Sequence, residues 1–171
     1  MKREMLTLDF LDRAVDLYDD VTGIVAHDGT EYTYAELDDR VNRLANALAE
    51  RGIEKGDKVA LLAPNTHYFI ETLYATNTLG AVFVPMNYRL TPGELEYILN
   101  DCDADLVISD YDYAENIEPI RDSVPAEHFV GYDTDKIDGE WDDYEDLLAD
   151  SSPDEPDRPD ISEEDDGSIN Y

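Results

Sequence analysis

The chain has 171 residues, 42% of them hydrophobic, and 43 Asp and Glu against 12 Lys and Arg, a formal net charge of −31. That length holds one ordinary domain with a core and excludes two large ones, and the charge excludes unaided binding to nucleic acid phosphates or anionic membranes. The acid is not confined to a tail: residues 131–171 hold 17 acids and 2 bases, which leaves a net charge of −16 on residues 1–130.

Residues 7–17 read as a short helix, with Leu8, Leu11 and Val15 at helical spacing behind a Thr start signal. Residues 23–27 and 30–33 flank Asp28-Gly29 and read as a hairpin, because Asp-Gly supplies the positive backbone angles of a tight two-residue turn. Thr33 and Glu36 form a capping box, each side chain satisfying an orphaned backbone donor. The helix that follows carries Leu37, Val41, Leu44, Ala45 and Leu48 in one stripe, and Gly52 is placed to end it.

Residues 58–63 read as a buried strand. Pro64-Asn65 opens a second helix to about Leu79, with Asn65 as its cap, Phe69, Leu73 and Thr76 on one side and Gly80 as its stop. A strand over 81–84 comes next, then a second capping box, Thr91-Pro92-Gly93-Glu94, leading a helix through Leu95, Ile98 and Leu99. Residues 105–109 form another apolar strand. Beyond it the pattern predicts a helix over 115–122, a strand over 128–132 and a short helix over 141–148. This alternation favours parallel strands joined by right-handed helical crossovers, hence an α/β fold: a three-layer domain with a mostly parallel sheet. Residues 1–150 form that domain. Residues 151–166, with Pro153, Pro156, Pro159 and many acids, read as a mobile acidic linker, and residues 167–171 as the start of a further strand.

Carboxylates thus cover a folded surface, and only four lysines occur, Lys2, Lys55, Lys58 and Lys136. That composition suits concentrated salt: at ~1 M the Debye length is ~3 Å and self-repulsion is largely screened. The single Cys102 excludes an internal disulfide and suggests a reducing cytoplasm. Acids interrupt the stretch after Met1-Lys2-Arg3 where a signal peptide needs an apolar run, and no segment approaches 18 uninterrupted apolar residues, so no membrane-spanning segment is expected.

Most catalytic constellations fail on spacing. His27, His67 and His128 lie far apart with no paired His or nearby Cys. Ser109 lacks the glycines of a nucleophile elbow, and no Gly-rich phosphate cradle occurs. Residues 133–139 imitate a calcium loop, but Ile137 stands at the fifth position, Gly139 comes one place late and Tyr144 sits where a bidentate Glu belongs. No catalytic and no metal-ligating residue is therefore assigned.

Tyr32-Thr33-Tyr34-Ala35-Glu36-Leu37, Asn42-Arg43-Leu44-Ala45, Gly52-Ile53-Glu54-Lys55-Gly56-Asp57-Lys58-Val59-Ala60, Pro64-Asn65, and Gly80-Ala81 through Pro85-Met86-Asn87-Tyr88-Arg89-Leu90 to Glu94-Leu95 occur in one order. Together they resemble the opening of the adenylate-forming, AMP-forming acyl-CoA synthetases, over most of the chain from about Phe10 to Ser109. Residues 166–171 look like the strand that in that family leads into a Ser/Thr/Gly-rich loop ending in lysine, which holds the ATP phosphates. The resemblance implies part of the large N-terminal domain of an acid–CoA ligase for a carboxylic acid of fatty type, with ATP, Mg2+ and CoA as the full-length protein's cofactors; the segment alone is expected to be inactive. It also implies that Arg89 touches CoA phosphates, bidentate donation making chemical sense there; the alternative is an Arg paired with surface acids. Gly80 and Pro85 read as backbone punctuation. Two other readings stand beside the ligase: a non-catalytic acidic α/β binding or scaffold protein, and an amino-acid adenylating module. Strands left without neighbours would pair between copies, giving a homodimer.

Overall fold

Four short apolar runs, each too short for a buried helix and rich in β-branched residues, become the centre of a parallel sheet. The computed structural model describes residues 5–132 and 140–171; the basic start at residues 1–3 and the calcium-loop imitation at 133–139 lie outside them. In chain order the elements are α1 (Leu8–Tyr18), β1 (Thr22–Val25), β2 (Glu31–Thr33), α2 (Tyr34–Glu50), β3 (Lys58–Leu62), α3 (His67–Thr78) and β4 (Val82–Met86). Then come α4 (Pro92–Asp101), β5 (Leu106–Ser109), α5 (Tyr111–Ala114), a 3-10 helix (Glu118–Ser123), β6 (His128–Gly131), β7 (Asp142–Asp143) and α6 (Tyr144–Asp150).

The sheet runs β4-β3-β5-β6-β7, with every pairing parallel. Both of its faces are covered, so alternate residues of one strand enter different cores. Val59 and Leu61 of β3, Leu106 and Ile108 of β5 and Val130 of β6 pack beneath α1, α2, α3 and α6. Ala60, Leu62, Val84, Val107 and Phe129 face the other way, against Leu95, Ile98 and Leu99 of α4 and Ile120 of the 3-10 helix. The expected three-layer α/β architecture is the one adopted. Each fully buried leucine, such as Leu44 or Leu95, contributes roughly 1.5–3 kcal/mol relative to an exposed one.

Helix ends follow a common device. After α2, Gly52 takes φ +85° and its amide donates to Ala49, while the Ile53 amide reaches back to Leu48. Gly80 does the same after α3, and Asp103, at φ 56°, after α4. In each, two amides beyond the helix satisfy carbonyls of its last turn. The first capping box forms as the spacing predicts: Glu36 donates its amide to the Thr33 hydroxyl and accepts from the Thr33 amide. At the second, the Glu94 carboxylate accepts from the Thr91 amide and hydroxyl.

Several local expectations are corrected. The β1–β2 turn does not use two left-handed residues. Asp28 accepts the Thr30 amide through its carboxylate at 2.9 Å and only Gly29 takes positive φ, because the side-chain bond holds Asp28 in the ordinary region. Asn65 is not the cap of α3; that place falls to Thr66, without a side-chain cap bond. The helix expected over 115–122 is a 3-10 helix from Glu118, with Pro119 inside it, and the short α5 precedes it. The segment expected as helix from 141 begins as strand β7, and Asp143 caps α6 by accepting the Asp146 amide.

Residues 151–166 carry no helix or strand, as their composition suggests, yet they are tied down at several points. Arg43 donates to the Ser151 carbonyl, Asn46 to those of Ser152 and Asp154, and Arg158 pairs with Asp12 at 2.6 Å. Lys55 reaches both the Asp160 carbonyl and the Asp165 carboxylate at 2.7 Å. Apolar content alone misses such a strap, because polar side chains of the helices hold its backbone. Beyond it the Phe83 amide donates to Gly167 and the Ile169 amide to Phe83, a parallel bridge beside β4.

Candidate functional site

In an open parallel sheet the loops leaving the carboxyl ends of the strands diverge where the strand order reverses, and ligands gather there. Here β3 lies between β4 and β5, and the chain passes from β3 out to β4 and then back across to β5. The carboxyl ends therefore bring together three loops: residues 63–66 after β3, 87–90 after β4 and 110–111 after β5.

Arg89 stands in the second of these. Asn87 shapes the turn by accepting the Arg89 amide on Oδ1 at 3.0 Å, while the Leu90 amide donates to the Asn87 carbonyl. The Arg89 side chain is exposed, with its guanidinium carbon 5.4 Å from the centre of the Tyr88 ring. Tyr88 in turn packs on Tyr113 of α5 at 4.9 Å. A cation and two aromatic rings thus share one exposed patch, joined across the sheet end by tertiary packing. Nothing in the local sequence links Tyr113 to Tyr88.

Ser109, at the end of β5, is buried, and its hydroxyl donates to the Asp110 carbonyl at 3.0 Å. It has a main-chain partner and no imidazole. The three histidines stay apart: His27 is exposed, His128 half-buried and His67 buried. Among the described residues no three His, Cys, Asp or Glu side chains converge as a metal site would need.

The largest polar constellation was not visible in the sequence. Glu71 of α3 is fully buried, and Arg40 of α2 meets it with two bonds, Nε to Oε1 at 2.7 Å and Nη2 to Oε2 at 3.1 Å. The same guanidinium pairs with Glu145 of α6 at 2.8 and 3.0 Å. The Tyr144 hydroxyl donates to Glu71 at 2.9 Å. Burial works against the Arg40 charge, but the bonds to Glu145 and Glu71 outweigh it and hold the guanidinium protonated far above its ordinary range. Burial likewise opposes ionisation of Glu145, and Arg40 more than reverses it, lowering that carboxyl. Both carboxylates are engaged by a cation, so the cluster works as a clamp joining α2, α3 and α6.

Beside the clamp the rings of Tyr32, His67, Tyr68 and Tyr132 follow one another with centroid separations of 5.3, 3.9 and 3.8 Å. Burial lowers the His67 imidazole below its ordinary value, with Glu71 opposing, and drives the Tyr132 phenol well up. The deeply buried face of α3 is accordingly polar, with His67, Glu71, Thr72 and Thr76, while Phe69 and Leu73 are only half-buried. Of the stripe predicted for this helix Thr76 is buried, while Phe69 and Leu73 pack at the margin of the core. One signal existed: Glu71 is the one acid of its helix, with no Lys or Arg at helical spacing to pair it.

A sequence profile of the family described as AMP-binding enzyme matches residues 11–171. The 3-oxocholest-4-en-26-oate--CoA ligase of Rhodococcus rhodochrous is 35% identical over 150 residues, 85% of this chain and 27% of that protein. A feruloyl-CoA synthase of an Amycolatopsis species is 48% identical over 93 residues, 54% of this chain and 19% of its own. The solved Mycobacterium tuberculosis fatty acyl CoA synthetase superposes with a TM-score of 0.86 at 30% identity, covering 97% of this chain and 32% of that one. The anthranilate CoA ligase AuaEII, in complex with anthranoyl-AMP, gives 0.90 at 26% identity, over 100% of this chain and 32% of its own. The chain thus spans 19% and 27% of the length of these two curated relatives.

Proposed function

The chain belongs to the AMP-binding enzyme family, and from that membership we propose that it forms part of an acid–CoA ligase, one that joins a hydrophobic, fatty type of carboxylic acid to CoA using ATP. The observation that carries this reading is that one stretch, residues 11–171, satisfies the family profile while the relatives over it are named as CoA ligases. An ionised carboxylate resists nucleophiles, so the acid must first be activated. Its oxygen attacks the α-phosphorus of ATP and pyrophosphate leaves; the CoA thiol then attacks the acyl carbonyl, loses its proton, and AMP leaves.

Both steps bring anions together, and a segment of net charge −31 repels them. Any attraction here must be local. We assign that role to Arg89, an exposed guanidinium that can donate paired bonds to the phosphates of CoA, with the packed rings of Tyr88 and Tyr113 beside it. Magnesium is a different matter. The described side chains offer no converging donor set, so no magnesium site and no step through the metal is assigned to this segment.

Arg89→Ala in the full-length ligase is expected to raise the KM for CoA about tenfold, the worth of one charge-assisted bond at an exposed site, and to leave the KM for ATP nearly unchanged. Steady-state kinetics with each substrate varied in turn checks this. An equal rise for both substrates would retire the assignment. We further read the dispersed carboxylates as adaptation to concentrated salt, and the lone, buried Cys102 as fitting a reducing cytoplasm.

A further inference from the structure

We propose that Asn77 is a positioning residue for ATP: from the last turn of α3 it fixes the register of residues 167–169, the strand that the ligase reading places ahead of the phosphate loop. The inference rests on that reading for its function and on geometry for its location.

Asn77 is buried, with 7% of its surface exposed. Its Nδ2 donates to the Gly167 carbonyl at 2.8 Å. That carbonyl also accepts the Phe83 amide at 3.1 Å, and the Ile169 amide returns to the Phe83 carbonyl at 3.0 Å. A Cβ on Gly167 would meet Asn77 Oδ1 at 3.5 Å, an ordinary contact.

The two main-chain bonds to Phe83 are generic, and any residue of an extended segment could make them. A slip of two residues would keep the same faces in place yet move the strand by about 7 Å. Phosphate binding tolerates misplacement of only about 1 Å before rates fall steeply. The upstream anchor does not set the register of the strand itself, since Lys55 holds residues 160 and 165, on the far side of the turn before Gly167. Ile169, packed on the second core, and the Tyr171 hydroxyl, bonded to Asp101 at 2.8 Å, hold the residues beyond; the Asn77 side chain is what singles out the Gly167 carbonyl. The role is therefore one of placement, exerted through Gly167, and Asn77 itself touches no substrate.

The test uses Asn77→Asp, which keeps the volume and turns a donor into an acceptor facing a carbonyl, and Asn77→Ala, which removes the donor without adding charge. In the 171-residue chain, hydrogen exchange at the Ile169 and Phe83 amides should quicken about tenfold, corresponding to about 1.4 kcal/mol, the worth of one such bond. Amides of β3 and β5 should keep their protection. In the full-length ligase both variants should raise the KM for ATP about tenfold while the KM for the acid and for CoA stay within twofold, a split that mere loss of stability would not produce. Unchanged exchange at Ile169 overturns the register claim and leaves the ligase reading standing. Faster exchange with an unaltered KM for ATP overturns the functional claim. A wild-type full-length protein that releases no AMP would remove the ligase reading, and with it the ATP arm, independently of the exchange result.

Discussion

Arg40→Ala is expected to destabilise the fold by about 3–5 kcal/mol, because it leaves the fully buried Glu71 carboxylate without its cation. The figure is large beside a total stability of roughly 5–15 kcal/mol for an ordinary domain. Three helices meet at this guanidinium. Glu71 retains only the Tyr144 hydroxyl as a neutral donor, at 2.9 Å, which cannot replace a bidentate ion pair in a dry setting. Replacing the whole group by apolar side chains, Arg40→Met with Glu71→Leu and Tyr144→Phe, should recover most of the loss, since buried ion pairs stabilise little over well-packed hydrophobic substitutes. Glu145→Ala should cost under about 1 kcal/mol: half of that side chain is exposed, and solvent screens its bond to Arg40. Chemical denaturation of the three variants at one salt concentration orders them. A small effect of Arg40→Ala would show that water reaches Glu71.

Lowering the salt is expected to loosen the whole chain. With a net charge of −31 over 171 residues, most carboxylates feel like charges inside the ~30 Å Debye length of 0.01 M salt, whereas at 1 M the length shrinks to ~3 Å and repulsion survives only between immediate neighbours. The bases already serve local bonds: Arg43 with Asp39, Arg51 with Asp142, Lys55 with Asp165 and Arg158 with Asp12. They offset only part of the excess. The thermal midpoint should therefore climb steadily from dilute buffer to molar KCl, by roughly 2–4 °C for each kcal/mol of repulsion relieved in a domain of this size. Circular dichroism against temperature at several KCl concentrations measures it. The Arg40 clamp, being buried, should respond far less to screening than the exposed pairs. A midpoint independent of salt would contradict the salt-adaptation reading.

Local chemistry explains what the sequence made legible. Thr33 and Glu36 sit three residues apart and cap one another within a single turn, so their spacing alone carries the information. Gly52 and Gly80 stand where left-handed backbone is needed, and both helices stop there. The β-strands declared themselves because a sheet covered on both faces needs apolar residues at every position, as Lys58–Leu62 shows after its first residue. What stayed hidden depends on partners far apart in sequence. Arg40 and Glu71 are 31 residues apart, and Arg40 and Glu145 are 105 apart; each reads by itself as an ordinary polar face of a helix. The strap at 151–166 looked loose because its anchors, Arg43, Asn46, Lys55 and Arg158, bind carbonyls and carboxylates rather than apolar groups. At the candidate site the position of Arg89 was legible through resemblance. The contact of Tyr88 with Tyr113 beside it came only with the fold.

The most direct test of the ligase reading is acid- and CoA-dependent release of AMP, measured side by side for the full-length protein and for the 171-residue segment in molar KCl. The account predicts one AMP for each acyl-CoA formed by the full-length protein and none from the segment. AMP release by the segment alone, or none from the full-length protein across a panel of fatty and aromatic acids, would contradict it.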